Sequence, residues 1–472
     1  MATGREQFSS RLGVVLAAAG SAVGIGNLVG FPVAATKGGG GAFLLLYAIF
    51  VAFICIPVMM AELSLGRRSQ KDPVGAYLKE AGPKSPWRVA GLLSVITPFM
   101  IAVFYMVITV WVFGYFVEII FGNLKTLARP ETFGIFINSN KVFLYLSIVA
   151  FFLVAILVSG VKNGIERAAK IMMPALVLLL LGLVVFVFTL DNALLGLRYY
   201  LIPDISKVDA LVINGALSQA FFSLSLGMGI LITYGSYANR GESLAANAKL
   251  VAVTDSAVAF FAGLMILPAI FALNPSANSE NLTDSSVSMI FSYLPKIFMA
   301  LQSSIGYLGA STVAAIFFLL VFFAATTSLV SITEVPTSSL IDTLGLKRKR
   351  ALIWLVLLMG LLTIACVVSF GMVEGLTVFV EYGNAKKSFF DVVVDIFYDT
   401  ILPLNGLLIC LFARYRWKTY LDDELERGDD GYHSSLTKRY VDVSLATFIP
   451  VILLVVFINT VAQKYFAFTI LG

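Results

Sequence analysis

The sequence predicts an all-α polytopic membrane protein, and three observations lead to that prediction. Of its 472 residues, 59% are hydrophobic and only 13% are charged, whereas soluble domains carry about 25% charged residues. Apolar stretches long enough to cross a bilayer recur from one end of the chain to the other. Two of these stretches carry glycines and polar residues at mid-depth, so we expect two interrupted helices within the bundle.

Eleven apolar segments are expected, and they are numbered from one to eleven in chain order: 12–36, 41–66, 90–121, 142–160, 171–190, 212–238, 243–272, 309–342, 350–370, 388–413 and 442–463. Segments one to five and six to ten would form two five-helix repeats of inverted orientation, with segments one and six unwound at mid-membrane. The chain would then divide into 1–200, 201–415 and 416–472, the last part holding a cytoplasmic linker and segment eleven.

The basic residues concentrate in alternate loops. Most of the 33 Lys and Arg residues lie on one side, among them Arg67, Arg68 and the run KRKR at 347–350. The positive-inside rule therefore places the N-terminus in the cytoplasm and, with an odd number of spans, the C-terminus outside. The short polar start MATGREQFSSR has no cleavage site, so no cleaved signal is expected. The KRKR run is a topology signal, and the expected partner is the lipid bilayer rather than nucleic acid.

Histidine and cysteine usage excludes several kinds of site. The only histidine, His433, lies in a charged linker, which excludes histidine-ligated metal centres and histidine-based catalytic triads. The three cysteines (Cys55, Cys366 and Cys410) each lie in an apolar run without a spacing motif, as buried small hydrophobic residues do. Because no nucleophile–base pair or metal cluster can be assembled, we do not expect an enzyme.

Segment one is interrupted by the motif GSAVGIGNLVGFP at 20–32. Each glycine weakens a helix by up to about 1 kcal/mol relative to alanine, and an asparagine facing lipid is costly. Glycines four residues apart also mark close helix packing in membranes. Packing explains the glycines but not Asn27, so a binding site and a packing face both remain open at this point.

Segment six carries a second interruption, AFFSLSLGMGILITYGSY at 220–237, with Ser223 and Ser225 near its centre. Segments one and six are the first members of the two five-segment groups. Two interrupted helices at matching positions are typical of inverted-repeat transporters. The unwound backbone offers free carbonyls to cations and free N–H groups to an anionic substrate group.

Other polar residues lie at membrane depth. Asp255 stands well inside segment seven, where a carboxylate needs a cation, a proton or dense hydrogen bonding. Glu62 ends segment two and fits either a site residue or an interfacial acid. The hydroxyls at 326–328 in segment eight are oxygen donors of the kind that Na⁺ needs, or they bond back to their own helix. Tyr105 in segment three either hydrogen-bonds a carboxylate or packs.

Several motifs together resemble the neurotransmitter:sodium symporter family in its bacterial amino-acid branch. They are GSAVGIGNLVGFP, GGGGAFLLLY, AFFSLSLGMG and FFAATTSLVSITE. The resemblance covers segments one to ten in order and implies a leucine-transporter-like fold. Many members have twelve spans, whereas eleven are expected here.

The resemblance implies two sodium sites. With the substrate carboxylate as a further ligand, the first would use the carbonyl of Ala22 and the side chains of Asn27, Ser223 and Asp255. The second would use the carbonyls of Gly20, Val23 and Ala324 and the hydroxyls of Thr327 and Ser328.

The resemblance also implies a substrate site at the two breaks. The substrate carboxylate would meet the N–H groups of Ile25 and Gly26 and the hydroxyl of Tyr105. The ammonium would meet the carbonyls of Ala22 and Phe222 near Ser225. Ser223 and Ser328 would border the same substrate, and its side chain would lie among Ile101, Ile108, Phe222, Met228, Leu329 and Ile332. Because amine-carrying members hold an aspartate where Gly24 stands, an amino acid fits here and a biogenic amine does not.

The sequence departs from the family pattern at positions that bear on anion use and on the outer gate. Asp255 replaces an asparagine, and Ala259 replaces the serine of chloride-dependent members. We therefore expect the carboxylate to stand in for chloride, beside Tyr47 and Gln219, which match the family pattern. Gly30 replaces the arginine that normally pairs with an aspartate in segment ten. That aspartate's position falls on Val394, with Asp395 one residue on. We therefore expect Tyr105 to stack with Phe222 over the substrate instead.

At the cytoplasmic end, the resemblance implies an inner gate. Arg5 and Asp342 match an ion-pair latch, supported by Tyr237, and Phe8 stands where a tryptophan usually packs. An ordinary surface charge pair is the alternative for Arg5 and Asp342.

The predicted function is a sodium-coupled symporter in the plasma (inner) membrane that imports an amino acid, preferably a hydrophobic one. It would work by alternating access with two Na⁺ and no chloride requirement, with segment five bending near Pro174. The alternatives are a proton-coupled amino-acid transporter that uses Asp255 and a membrane sensor that binds an amino acid without moving it. A channel is disfavoured because the polar groups cluster at one depth.

Overall fold

The computed structural model describes residues 8–273, 289–429 and 431–468. Within these residues, nine helices are long and apolar enough to span a membrane, or ten if the two halves of segment one count as one span. The all-α polytopic fold class is thus confirmed. The exact number of spans and the inverted repeat remain predictions, as do the divisions at residues 200 and 415.

The long helices coincide with the predicted segments, and several extend beyond the expected boundaries into the loops. In chain order, segments two to five, seven and eight to eleven are Gly41–Ser69, Arg88–Ile120, Lys141–Val158, Val161–Val187, Leu244–Leu273, Gln302–Leu344, Arg348–Val368, Phe389–Arg416 and Leu436–Phe466. π-Helical turns occur inside segments two, five and ten, at Val51–Cys55, Val161–Glu166, Val394–Ile401 and Phe412–Arg416. Non-helical backbone at Gly306 interrupts segment eight.

Segments one and six are broken where the sequence predicts. Segment one comprises Arg11–Ala22 and Gly26–Lys37, bent by 51° between them. Segment six comprises Ala210–Ser223 and Ile230–Gly235. Between its halves, Gly227 and Gly229 adopt φ of 75° and 65°, a left-handed conformation that glycine tolerates without strain. Each break therefore has a local cause in the sequence.

The broken segments are enclosed by the unbroken ones. The first half of segment one packs against segments seven and eight, and the second half of segment six packs against segment two. At that last contact, a Cβ on Gly66 or Gly235 would collide with a backbone carbonyl of the facing helix. These two glycines thus permit a close backbone approach, as small residues do in membrane helix packing.

Short elements connect the long helices: Pro73–Ala81, Leu124–Leu127, Thr132–Ile137, Ala193–Leu201, Ile205–Lys207, Met289–Tyr293, Leu294–Ala300, Glu374–Thr377, Lys418–Glu426 and Tyr432–Ser434. A two-stranded antiparallel hairpin, Val380–Tyr382 with Ala385–Lys387, precedes segment ten and was not predicted. Helix Lys418–Glu426 is anchored by Arg67 Nε, which lies 2.8 Å from Glu424 Oε2, with both side chains fully buried.

Candidate functional site

The break in segment one is organised by Asn27. The helix ends at Ala22, and Val23 has extended backbone with ψ of 103°. The Gly24 N–H donates to Asn27 Oδ1 at 3.0 Å, which satisfies a backbone donor that the interrupted helix leaves free. Close helix packing alone does not explain Asn27. Its side chain stabilises the unwound turn of segment one.

Asn27 also joins a polar cluster with segments two, six and seven. Its Nδ2 donates to Asp255 Oδ1 at 2.7 Å and to Ser223 Oγ at 2.9 Å. The other carboxylate oxygen of Asp255 accepts from Ser223 Oγ at 2.8 Å and from Tyr47 OH at 3.2 Å. All four side chains are buried. The structure thus brings together the three side chains predicted for the first sodium site and adds Tyr47 to them.

A second cluster joins segments one and eight. Ser328 Oγ donates to the carbonyls of Ser21 at 2.9 Å and of Val23 at 3.3 Å. Thr327 Oγ1 bonds back to the Ala324 carbonyl at 3.0 Å. A Cβ placed on Gly20 would lie 3.6 Å from Thr327 Cβ, so the two helices touch here. The residues predicted for the second sodium site therefore converge on one helix contact.

A small cavity lies between the two breaks, and its walls are Ser21, Ala22, Gly24, Gly26, Tyr105, Phe222, Ser225, Met228, Ser328 and Ile332. Ser21 was not predicted. At one wall, the Ile25 N–H donates to the Tyr105 hydroxyl at 3.1 Å. A Cβ on Gly24 would lie 2.6 Å from Ser328 Oγ and 2.7 Å from Tyr105 OH. The side chain that Gly24 lacks would therefore occupy this polar corner.

Five residues predicted for the substrate site lie outside those walls, namely Ile25, Ile101, Ile108, Ser223 and Leu329. Ile101 and Leu329 are completely buried, Ile108 is half-buried, and none of the three lines the cavity. These three were predicted from the resemblance to the family, and a resemblance does not distinguish a cavity wall from the layer behind it.

On the side of the cavity that faces segment ten, the Phe222 ring packs edge-on against Tyr398, with ring centroids 4.7 Å apart. Sequence reasoning expected Phe222 to stack with Tyr105. Instead, Tyr105 bonds to the backbone of segment one, as described above. Gln219 Nε2 donates to the Gly26 carbonyl at 2.9 Å, and its Oε1 would lie 3.3 Å from a Cβ on Gly30.

At the start of the described residues, Phe8 packs edge-on against Tyr234 and Tyr237, with centroids 5.6 and 6.0 Å away. The Tyr237 hydroxyl donates to Glu334 Oε1 at 2.8 Å, and Glu334 is paired at 2.6 Å with Arg348. Glu334 and Arg348 were not among the predicted site residues. The signal for Glu334 was present, because it is an acid inside an apolar helix.

The predicted latch can be located only in part. Arg5 lies outside the described residues. Asp342 Oδ2 accepts from the Asp72 N–H at 2.8 Å, in the loop after segment two. Burial raises the pKa of the Asp72 carboxyl, and the nearby charge of Asp342 adds to the rise.

Glu62 supports the break in segment six. Its side chain is 1% exposed, and its Oε1 accepts from the Gly227 N–H at 2.8 Å. Asn405 of segment ten donates through Nδ2 to the Gly227 carbonyl at 2.9 Å. Of the two options left open for Glu62, the structure supports a residue of the site region over an interfacial acid.

The comparison with protein families agrees with this geometry. The profile of the sodium:neurotransmitter symporter family matches residues 5–128 and 136–469. The chain belongs to the sodium:neurotransmitter symporter family. It is therefore a multi-pass membrane transporter that uses Na⁺, and not an enzyme.

Relatives of full length support the assignment. An uncharacterised sodium-dependent transporter of Bacillus subtilis is 33% identical, over 96% of this chain and 97% of its own length. Another, from Haemophilus influenzae, is 31% identical over 96% and 98%. The crystal structure of the transporter MhsT in complex with L-phenylalanine is also similar, with a TM-score of 0.83 and 39% identity, over 96% of this chain and 99% of MhsT.

Proposed function

We propose that this symporter imports a hydrophobic amino acid together with two Na⁺ by alternating access and without chloride. The observation that carries the proposal is the corner at Gly24. Backbone N–H groups of the broken segment one and the hydroxyls of Tyr105 and Ser328 meet there. A helix start of this kind favours a carboxylate, and Gly24 brings none of its own, so the substrate would supply it.

The rest of the cavity suits an apolar side chain. Phe222, Met228 and Ile332 form its walls away from segment one. A polar side chain would lose its hydrogen bonds with water there without replacement. MhsT, whose fold this chain shares, was crystallised with L-phenylalanine, which supports the same substrate class.

Two cation sites are supported by oxygen donors next to the cavity. In the first cluster, the Ser223 hydroxyl and the Asp255 carboxylate bring hard oxygen ligands together beside Asn27. In the second, the Val23 carbonyl and the hydroxyls of Thr327 and Ser328 are hard, neutral ligands that suit a monovalent ion. Na⁺ would thus neutralise Asp255 and the substrate carboxylate at one depth.

The chloride prediction depends on Asp255. Its carboxylate is completely buried and hydrogen-bonded to Tyr47 and Ser223, and Ala259 one turn later brings no hydroxyl. A fixed negative charge at this place would take the role of a bound anion. We expect chloride-independent uptake by the wild type and chloride-stimulated uptake by Asp255→Asn.

The basic loops support an orientation in the inner membrane with the N-terminus in the cytoplasm. Alternating access would open the inner side by moving the first half of segment one. The π-helical turn Val161–Glu166 and Pro174 would supply the bend in segment five, because both interrupt regular helical hydrogen bonding.

Uptake into proteoliposomes tests the proposal. A panel of amino acids is offered with an inward sodium gradient, with potassium in place of sodium at matched pH, and with gluconate in place of chloride. We expect accumulation of hydrophobic amino acids that needs sodium but not chloride. Accumulation without sodium would favour proton coupling through Asp255, and saturable binding without accumulation would favour a sensor. Chloride-dependent uptake by the wild type would contradict the role given to Asp255.

A further inference from the structure

A buried carboxylate on segment ten is clamped from two sides. The Asp395 side chain is 5% exposed. It lies 2.9 Å from Lys387 Nζ of the hairpin and 2.8 Å from Lys464 Nζ of segment eleven. The Tyr382 hydroxyl, also from the hairpin, donates to it at 2.9 Å. The hairpin, segment ten and segment eleven thus meet at the Asp395 carboxylate, near the N-terminal end of segment ten.

Lys464 holds a second acid of the same turn. Its Nζ is 2.7 Å from Asp399, so one ammonium lies between two carboxylates four residues apart. Next to it, the Tyr465 hydroxyl is 3.1 Å from Thr400 Oγ1, and the Tyr465 ring stacks on Tyr382 at 5.2 Å. Segment eleven, segment ten and the hairpin are therefore joined by charges, a hydroxyl pair and stacked rings.

This cluster is on the same turn as the ring that covers the cavity. Asp395, Tyr398 and Asp399 all belong to the π-helical stretch Val394–Ile401. Tyr398 contacts Phe222, which is a wall of the cavity. π-Helical turns are rare and occur frequently at functional sites. Without Lys464, the two carboxylates of this turn would repel each other, as like charges one turn apart do.

The resemblance to the family implies an arginine at position 30, but this chain has Gly30. The side chain nearest to a Cβ placed on Gly30 is the neutral Gln219. We propose that Lys464 and Lys387 clamp Asp395 so that segment ten holds Tyr398 against Phe222, which closes the outer end of the cavity. Lys464 is then a positioning residue for the outer gate, supplied by the last helix and not by segment one. The inference rests on the proposed transport function and adds the device that closes its outer side.

The rate of cysteine labelling tests the clamp without any substrate. Gly30→Cys places a reporter beside Gln219 on the outer side of the cavity, and the three native cysteines are buried. Purified protein in sodium buffer is labelled with a fluorescent maleimide, with Lys464 intact or replaced. We expect Lys464→Met to label about tenfold faster, a typical size for a coupling between two conformations. Lys464→Arg should restore the slow rate.

Lys141→Met is the matched control. Lys141, the first residue of segment four, forms a similar ion pair. Its Nζ lies 2.5 Å from Oε1 of Glu118, which is at the outer end of segment three. Its loss should leave reporter labelling unchanged. If Lys464→Met is not recovered as folded protein, Lys387→Met removes the other arm of the clamp and should speed labelling about threefold.

Unchanged labelling in Lys464→Met, or equal acceleration by Lys141→Met, would overturn the clamp. In uptake assays, Lys464→Met should raise the substrate KM more than it lowers the maximal rate, because a loose outer gate releases substrate outward. If Lys464→Met changes the substrate KM and the maximal rate by the same factor, Lys464 has a merely structural role. If the wild type transports no amino acid, the proposed function fails while the labelling rates still decide the clamp.

Discussion

The two polar clusters beside the cavity are built from different kinds of ligand. The first holds a carboxylate, Asp255, tied to the side chains of Asn27, Ser223 and Tyr47 from three other segments. The second joins backbone carbonyls of segment one to the hydroxyls of Ser328 and Thr327. Substitution can remove most of the first cluster, but it cannot remove the carbonyls of the second. We therefore expect a side-chain substitution to weaken sodium binding more in the first cluster than in the second.

The largest effect is expected from Asp255→Ala. It removes the acceptor of three hydrogen bonds and leaves buried polar partners unsatisfied, at about 1–3 kcal/mol for each group. Sodium activation of uptake should weaken on the order of a hundredfold. The measurement is the sodium dependence of initial uptake rates. Asp204→Ala, at an exposed acid bonded to Ser206, is the control and should behave as the wild type. A sodium response within twofold of the wild type would remove Asp255 from the cation site.

A smaller effect is expected from Gly24→Ala, at the corner that both clusters border. The new methyl group would overlap Ser328 Oγ and Tyr105 OH, and overpacking of this kind costs about 1–3 kcal/mol. Amino-acid binding should weaken at least tenfold, as measured by equilibrium binding of labelled L-phenylalanine. Gly215→Ala in segment six, with no atom within 4 Å of the added Cβ, is the matched control. Equal affinities for the two variants would show that the substrate does not use this corner.

The smallest effect is expected from Thr327→Val in the second cluster. It keeps the side-chain shape and removes one neutral oxygen, worth about 1 kcal/mol or about fivefold in sodium affinity. Thr326→Val is the matched control, because Thr326 is equally buried and bonds back to the Phe322 carbonyl. Sodium titrations of both variants make the comparison. A larger effect at position 326 than at position 327 would contradict the assignment of the second cluster.

Sequence reasoning succeeded where the signal is local. Both breaks were found because glycine, serine and asparagine interrupt apolar helices that are otherwise regular. Asp255 was found because an acid at membrane depth is rare. It was less successful with the pocket walls, where Ile101, Ile108 and Leu329 fell behind the cavity, and with the stacking partner of Phe222. Those expectations came from the resemblance to the family, which does not say which side chains of this chain meet in its own packing.

The sequence by itself determined the membrane class, the places where segments one and six unwind and the polar residues available at that depth. Hydropathy and backbone propensity act over a few residues, so their pattern can be read along the chain. Only the tertiary structure decided which groups meet: Glu62 with the Gly227 N–H, Glu334 with Arg348, and Asp395 with Lys464. Such pairs join separate elements of the fold, and they form only when the packing of the whole bundle brings those elements within hydrogen-bond distance.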